Sequence, residues 1–182
     1  GQNLSGGVVD GCTVTGSVYG AHFVGGIAGD NHGVIANCVN KASVNTKVEQ
    51  NEIDISSLTL KDLIGTENVA DITYIGGVAG SSAGVVKNCQ NLGTVGYQHM
   101  GYNVGGIVGS GYGAIVRDVL NLGTVVAAYK AGGIVGSWEK PYKETTGDGY
   151  NDMYRAVSAG TVICANHAQE GGIAGIDGSL GE

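Results

Sequence analysis

The stretch Gly25-Gly26-Ile27-Ala28-Gly29 recurs along the chain, and its recurrence decides the fold. The other four copies are Gly76-Gly77-Val78-Ala79-Gly80, Gly105-Gly106-Ile107-Val108-Gly109, Gly132-Gly133-Ile134-Val135-Gly136 and Gly171-Gly172-Ile173-Ala174-Gly175. From first glycine to first glycine, these pentads are 51, 29, 27 and 39 residues apart. Two of these intervals are about 28 residues long, and the other two equal that length plus an insertion. A repeat length in this range is typical of proteins that stack one repeat on the next.

A second repeated block follows the first three pentads. It has the form Val-Ile-x-Asn-Cys, runs on to Gly-Thr-Val, and occurs at 34–44, 85–95 and 115–125, with altered copies at 8–18 and 155–162. Short runs rich in Val and Ile and bounded by Gly and Asn predict strands. We therefore expect three short strands per repeat: the pentad, the Val-Ile-x-Asn-Cys stretch and the segment ending in Gly-Thr-Val.

One such repeat cannot bury its apolar face alone, so the copies must stack, with equivalent strands about 4.8 Å apart. The sequence thus predicts an all-β fold, a parallel β-solenoid of about five stacked three-strand rungs. We expect a single domain over 1–182 with insertions at 45–74 and 137–152. A short helix is predicted to begin at Ser57 in the first insertion, and the second is predicted to be a surface loop.

Stacking in register places like residues in columns. One column consists of small apolar residues: Cys12, Cys38, Cys89, Val119 and Ala156. A second column consists of the amides Asn40, Asn91 and Asn121, and a third of Asn37, Asn88 and Asp118. The cysteine column predicts buried thiols, with an inter-rung disulfide or a metal or redox site as alternatives. The amides predict hydrogen-bonded ladders, with ligand binding as the alternative. For the pentad glycines we expect positive φ and close backbone approach at a corner; the alternative of a phosphate-binding loop lacks the following helix N-terminus that it needs.

Composition excludes several function classes. The net charge is −7, and the nine Lys and Arg residues are spread thinly along the chain. The sequence therefore shows no basic patch of the kind that binds nucleic acid or an anionic membrane. No apolar run reaches about 18 residues, so we expect no membrane insertion. The four cysteines lack Cys-x-x-Cys spacing, which argues against zinc and thioredoxin-like sites.

Aromatic residues in and near the second insertion are the candidate binding residues: Trp138, Tyr142, Tyr150 and Tyr154. Aromatic rings stack on sugar faces, so a glycan or a host protein is the expected partner. The alternative is that these rings pack on their own loop.

Asp148 and Asp152 are the candidate calcium ligands in Asp-Gly-Tyr-Asn-Asp. The stretch lacks the complete spacing of an EF-hand loop, and solvated carboxylates are the alternative. No histidine has a second histidine at ligand spacing, and Cys164 near His167 is not by itself a catalytic geometry. We predict no catalytic residues and no cofactor other than this calcium.

The order Val-Gly-Gly-Ile-Ala-Gly, Gly-Val-Ile-x-Asn-Cys, Asn-x-Gly-Thr-Val resembles the GLUG repeat of bacterial surface proteins, over about two-thirds of the chain. Such repeats occur in adhesin-like proteins and in IgA-specific metallopeptidases. The resemblance implies a non-catalytic module, extracellular or on the bacterial surface, within a larger parent chain. The chain starts at Gly1 without Met, as expected for a piece of a longer polypeptide.

The function expected from these observations is a rigid spacer or adhesin-type binding scaffold. The sequence leaves two alternatives to this function open. One is an accessory domain of a secreted IgA-type metallopeptidase, although the peptidase signature His-Glu-x-x-His is absent. The other is a polysaccharide-active β-helix enzyme using clustered carboxylates.

Overall fold

The computed structural model describes residues 1–46, 73–97, 102–139, 152–165 and 169–177. Within these ranges the chain winds as a coil, and every pair of neighbouring strands is parallel and in register. This confirms the predicted parallel β-solenoid. The predicted helix at Ser57 and most of both insertions lie outside the described residues.

The strands group into six successive turns of the coil, which we call rungs. Rung 1 has β1 (Gln2–Asn3), β2 (Val8–Asp10), β3 (Thr13–Val14) and β4 (Ser17–Val18). Rung 2 has β5 (Val24–Gly25), β6 (Ala28–Asn31), β7 (Val34–Ala36), β8 (Val39–Asn40) and β9 (Ser43–Val44). Rung 3 has β10 (Thr73–Gly76), β11 (Ala79–Ser82), β12 (Val85–Lys87), β13 (Gln90–Asn91) and β14 (Val95–Gly96).

The remaining rungs continue this order. Rung 4 has β15 (Tyr102–Gly105), β16 (Val108–Tyr112), β17 (Ile115–Asn121) and β18 (Thr124–Ala127). Rung 5 has β19 (Lys130–Gly132), β20 (Val135–Glu139), β21 (Asp152–Ser158) and β22 (Thr161–Cys164). The described part of rung 6 has β23 (Gln169–Gly171) and β24 (Ala174–Asp177).

Equivalent strands form four sheets, numbered in the order in which each rung visits them. Sheet I contains β5, β10, β15, β19 and β23; sheet II contains β1, β6, β11, β16, β20 and β24. Sheet III contains β2, β3, β7, β8, β12, β13, β17 and β21; sheet IV contains β4, β9, β14, β18 and β22. A rung therefore has four sides rather than the three predicted.

The pentad forms a corner between two strands, which corrects the prediction of one strand and confirms the close approach at a corner expected for its glycines. In rung 2, Gly25 ends β5 in sheet I and Ala28 begins β6 in sheet II, with Gly26 and Ile27 in the bend between them. None of the pentad glycines has a positive φ. What requires glycine is close approach: a Cβ on Gly76 would overlap the carbonyl oxygen of Ala79, and the first glycine of every pentad meets the same conflict.

One column of residues with positive φ lies at a second corner, in the middle of sheet III, and another lies two residues before three of the pentads, at Phe23, Tyr74 and Asn103. The five residues of the sheet III column have φ of +66°, +55°, +52°, +54° and +51°, in the order Gly11, Asn37, Asn88, Asp118 and Arg155. Gly, Asn and Asp tolerate this left-handed conformation better than other residues. The corner turns the chain so that the next residue, the cysteine column, points inward.

The interior is filled by two clusters of side chains. Sheets II and III enclose one cluster, which includes Ile35, Val86 and Val116, and each of these has no exposed surface. Sheets I and IV enclose the other, which includes Ile75 and Val95. Burial of each such side chain contributes about 1.5–3 kcal/mol, and this burial is available only because the rungs stack.

The amide column lies between these clusters and forms the predicted ladder. Nδ2 of Asn40 donates to Oδ1 of Asn91 at 2.8 Å, and Nδ2 of Asn91 donates to Oδ1 of Asn121 at 2.8 Å. All three residues are fully buried. Each also binds the backbone two residues ahead, as in the 3.0 Å bond from Asn91 Nδ2 to the Gly93 carbonyl. The polar groups of this turn are thus satisfied inside the core.

Candidate functional site

The predicted binding residues separate into buried, exposed and undescribed ones. Trp138 lies inside the coil, and Asp152 and Tyr154 lie on the outer face of sheet III. Tyr142, Asp148 and Tyr150 lie outside the described residues. Ser137, Trp138 and Glu139 belong to β20 and Asp152 begins β21, so these residues of the predicted second insertion are part of the coil.

Trp138 packs in the interior, where we had expected an exposed ring. It pairs with Gly111 of the preceding rung, and its side chain is 4% exposed. A Cβ on Gly111 would overlap the indole ring, so the glycine makes the space that the ring fills. In this position Trp138 contributes to the core and presents no platform at the surface.

Tyr154 is on the outer face of sheet III and retains 38% of its surface. Strand alternation places it there, because its neighbour in β21, Met153, packs against the core. Nη1 of Arg117, which pairs with Tyr154 across the rungs, donates to the tyrosine hydroxyl at 2.9 Å. The guanidinium carbon of Arg155 lies 4.9 Å from the ring centroid, and that of Arg117 lies 6.0 Å away. Both distances are within the range of cation–π attraction.

Arg155 is neutralised by Asp118 of the neighbouring rung. Both carboxylate oxygens accept from the guanidinium: Nε binds Oδ1, and Nη2 binds Oδ2 at 2.8 Å. These hydrogen bonds lower the pKa of the Asp118 carboxyl and raise that of Arg155. The fork geometry is that of a bidentate arginine–carboxylate pair.

Lys87 and Arg117 are adjacent cations without such a partner. They pair in register between β12 and β17. Among the described residues, neither forms an ion pair, and Nε of Arg117 is buried without a hydrogen-bond partner there. We call Lys87, Arg117, Tyr154 and Arg155 the sheet III basic cluster. Sequence reasoning identified Tyr154 alone, although the repeat alignment places Lys87, Arg117 and Tyr154 at the same offset.

The calcium prediction stays open. Asp152 is exposed, and its backbone N–H donates to the Ala114 carbonyl at 2.9 Å. The part of the chain that the structure describes holds no group of three or more His, Cys, Asp or Glu placed to bind one ion. Asp148 is not described, so the pair cannot be assembled from these residues.

The prediction of buried thiols is confirmed at two of the three cysteines of the column, and all three are free thiols. Cys38 and Cys89 are buried, whereas Cys12, in rung 1, is exposed. Burial raises the pKa of Cys38, and that of Cys89 from 9.0 to about 11. The buried thiols donate to backbone carbonyls, as Cys89 does to Lys87 at 3.1 Å. A neutral, buried thiol is a poor nucleophile and metal ligand.

The remaining candidates for chemistry are dispersed. Cys164 is buried in the cluster between sheets I and IV, where it pairs with Ala127. His32 lies 3.0 Å from Asp30 on the exposed surface, while His99 and His167 are outside the described residues. Within the described ranges, no helix is long and apolar enough to cross a membrane.

No protein-family model, curated protein or solved structure matches this chain.

Proposed function

We propose that this chain is a non-catalytic, extracellular repeat module of a bacterial surface protein, of the GLUG-repeat kind, which acts as a rigid spacer and adhesin-type binding scaffold. The observation that carries the proposal is the in-register stacking of rungs around a filled interior. Ile35, Val86 and Val116 occupy equivalent inward positions and have no exposed surface. A ligand would therefore meet the outer face.

Rigidity is supported by the way in which each rung is held. Strands of one rung pair with both neighbours on four sides, and the buried amide ladder adds side-chain bonds along the same axis. Repeat proteins of this kind gain stability from nearest-neighbour interfaces. Such a coil can keep a binding surface at a fixed distance from its point of attachment.

The sheet III basic cluster supports the binding role. It combines an exposed tyrosine with two arginines and a lysine on consecutive rungs. Arginine and tyrosine are the residue types that most often dominate binding surfaces. A host glycan or protein is the partner that we propose for this face.

A binding screen against glycans and host proteins tests the proposal. We expect at least one ligand whose binding is lost in Tyr154→Ala and retained in Tyr112→Ala, which removes another exposed tyrosine, at the end of β16. Absence of any ligand would leave only the spacer role, or support of a neighbouring peptidase domain.

The enzyme alternative is tested separately. Wild-type protein and the Asp148→Ala and Asp152→Ala variants are incubated with a panel of polysaccharides, and new chain ends are measured. We expect no turnover by any of the three proteins. Turnover by wild type that disappears in the variants would contradict the non-catalytic assignment.

A further inference from the structure

The sheet III basic cluster carries an inference about ligand chemistry, and this inference rests on the binding role proposed above. The chain has nine basic residues and a net charge of −7. Its two arginines and Lys87 nevertheless occupy one face of three consecutive rungs. The cations are therefore concentrated locally in a molecule that is acidic overall.

Only part of this positive charge is compensated. Asp118 pairs with Arg155 through both carboxylate oxygens. Lys87 and Arg117 pair in register on strands about 4.8 Å apart. No described carboxylate forms an ion pair with either, although Asp118 also interacts electrostatically with Arg117. Like charges on facing positions of adjacent strands destabilise a sheet. An anion between the two side chains would remove this repulsion.

The geometry of Arg117 favours a carboxylate as that anion. Its Nη1 is oriented by the bond to the Tyr154 hydroxyl, so the guanidinium is held before a ligand arrives. A planar guanidinium matches the two oxygens of a carboxylate, whereas lysine contributes a point charge. Orientation before binding lowers the entropy lost on association.

The aromatic ring of Tyr154 offers a surface on which the ring of a sugar can stack. Its partly exposed side chain adjoins Arg117 in the preceding rung. An aromatic surface beside a cation suits a sugar, which has an apolar ring face and, in uronic acids, a carboxylate at the ring edge.

We propose that Lys87, Arg117 and Tyr154 form a binding site for a carboxylate-bearing sugar of an acidic polysaccharide. The carboxylate lies between the Lys87 ammonium and the Arg117 guanidinium, and the sugar ring lies against Tyr154. Arg155, held by both carboxylate oxygens of Asp118, packs over the tyrosine ring and positions it.

The test compares two ligands of the same shape, oligogalacturonate and its neutral methyl ester, by calorimetry with the full 182-residue chain. We expect the acid to bind at least about tenfold more tightly than the ester, because charge-assisted hydrogen bonds are the strong ones. Lys87→Gln and Arg117→Gln should each remove most of this preference. Lys41→Gln, which removes an exposed positive charge elsewhere on the outer surface, should preserve it.

Two further variants separate the ring from its hydroxyl. Tyr154→Phe keeps the ring and should retain measurable binding, whereas Tyr154→Ala should abolish it. Thermal melting of each variant confirms that it is folded, and Lys87→Gln tests the site without disturbing the Arg117–Tyr154 hydrogen bond.

Equal binding of acid and ester would overturn the inference. So would equal binding of poly-glutamate and oligogalacturonate, which would show recognition of charge without the sugar. If the broad screen still finds a ligand that depends on Tyr154, the proposed binding role stands and only the carboxylated sugar is wrong. If neither experiment finds a ligand, both are wrong.

Discussion

Asn91 is the residue on which the buried ladder depends most, because it has an amide partner on both sides. Replacing it with alanine removes the bonds to Asn40 and Asn121 and the turn bond to Gly93. One N–H of Asn40 and one lone pair of Asn121 Oδ1 are left unpaired in the core, although Asn40 Nδ2 still donates to the Ala42 carbonyl and Asn121 Oδ1 still accepts from the Gly123 N–H. We expect Asn91→Ala to lower the free energy of unfolding by about 2–4 kcal/mol, measured by urea denaturation.

Gln90→Ala is the matched control for that prediction. Gln90 is the preceding residue, also an amide, and is exposed. Its replacement should change stability by less than about 0.5 kcal/mol. Similar losses in the two variants would show that the ladder contributes no more than an ordinary surface amide.

The buried thiols predict an alkaline limit to stability. The pKa of Cys89 rises from 9.0 to about 11 in the folded protein, so above pH 9 the unfolded chain loses this proton before the folded chain does. Stability due to this group is complete below pH 9 and is lost as the pH rises to about 11. Urea midpoints across this range should fall less in Cys89→Val, since valine occupies the equivalent position at Val119.

The same column predicts a pattern of thiol reactivity. Cys12 is exposed, while Cys38, Cys89 and Cys164 are buried. At neutral pH we expect a thiol reagent to modify Cys12 rapidly and the other three only when the coil opens. Peptide mass spectrometry after a short exposure measures this. Rapid modification of Cys38 or Cys89 would contradict the stacked interior.

At the scale of the element, the pentad corner is the segment least tolerant of an added methyl group. A Cβ on Gly106 would overlap the Gly133 carbonyl oxygen and the Asn121 side chain. The backbone of two rungs would have to separate, so we expect Gly106→Ala to lose about 3 kcal/mol or more of stability. Thermal unfolding followed by circular dichroism compares the stability of Gly106→Ala with that of the wild type.

Gly172 provides the control, because it is the same pentad position in rung 6. A Cβ there meets nothing within 4 Å. Gly172→Ala should therefore match the wild type to within about 0.5 kcal/mol. If both variants melt alike, close approach is not what requires glycine in the pentad.

These elements also show what the sequence could predict. The cysteine and asparagine columns can be predicted from the repeats alone, because residues at the same position in each repeat lie above one another when the repeats stack. The Ile and Val residues beside the pentad glycines predict a strand, whereas the close contact of the pentad with the next rung is a tertiary property. The sequence near Trp138 predicts an exposed ring, because nothing there indicates the space opened by Gly111.

The site shows the same limit. The residue type of Tyr154 predicts binding, but its partner Arg117 belongs to another rung, as does Asp118, which pairs with Arg155. The altered fifth repeat still aligns with the fourth, so the register was available from the sequence. The orientation of the guanidinium was not, because it depends on side-chain rotamers.

For the whole molecule, stacking predicts unequal stability along the coil. Equivalent inward residues are fully buried in the middle rungs, at Ile35, Val86 and Val116, and only partly buried in the outer ones, at Val9 and Met153. Within the described residues, β2 and β21 are edge strands of sheet III and have one neighbouring strand fewer, so they open more readily. Hydrogen exchange should be slowest in β7, β12 and β17 and faster in β2 and β21. Uniform exchange across these strands would mean that the coil opens as a single unit.

The register across the first long interval has a practical consequence. Gly25 pairs with Gly76 although 51 residues separate them, whereas Gly76 pairs with Gly105 after 29. The register is therefore kept although the chain between β9 and β10 is longer than that between β14 and β15, and lengthening a connection costs little entropy. The segment between Asn45 and Thr73 is therefore a site for inserting foreign sequence. An epitope or an enzyme inserted there would be displayed on the solenoid without changing the register of its rungs.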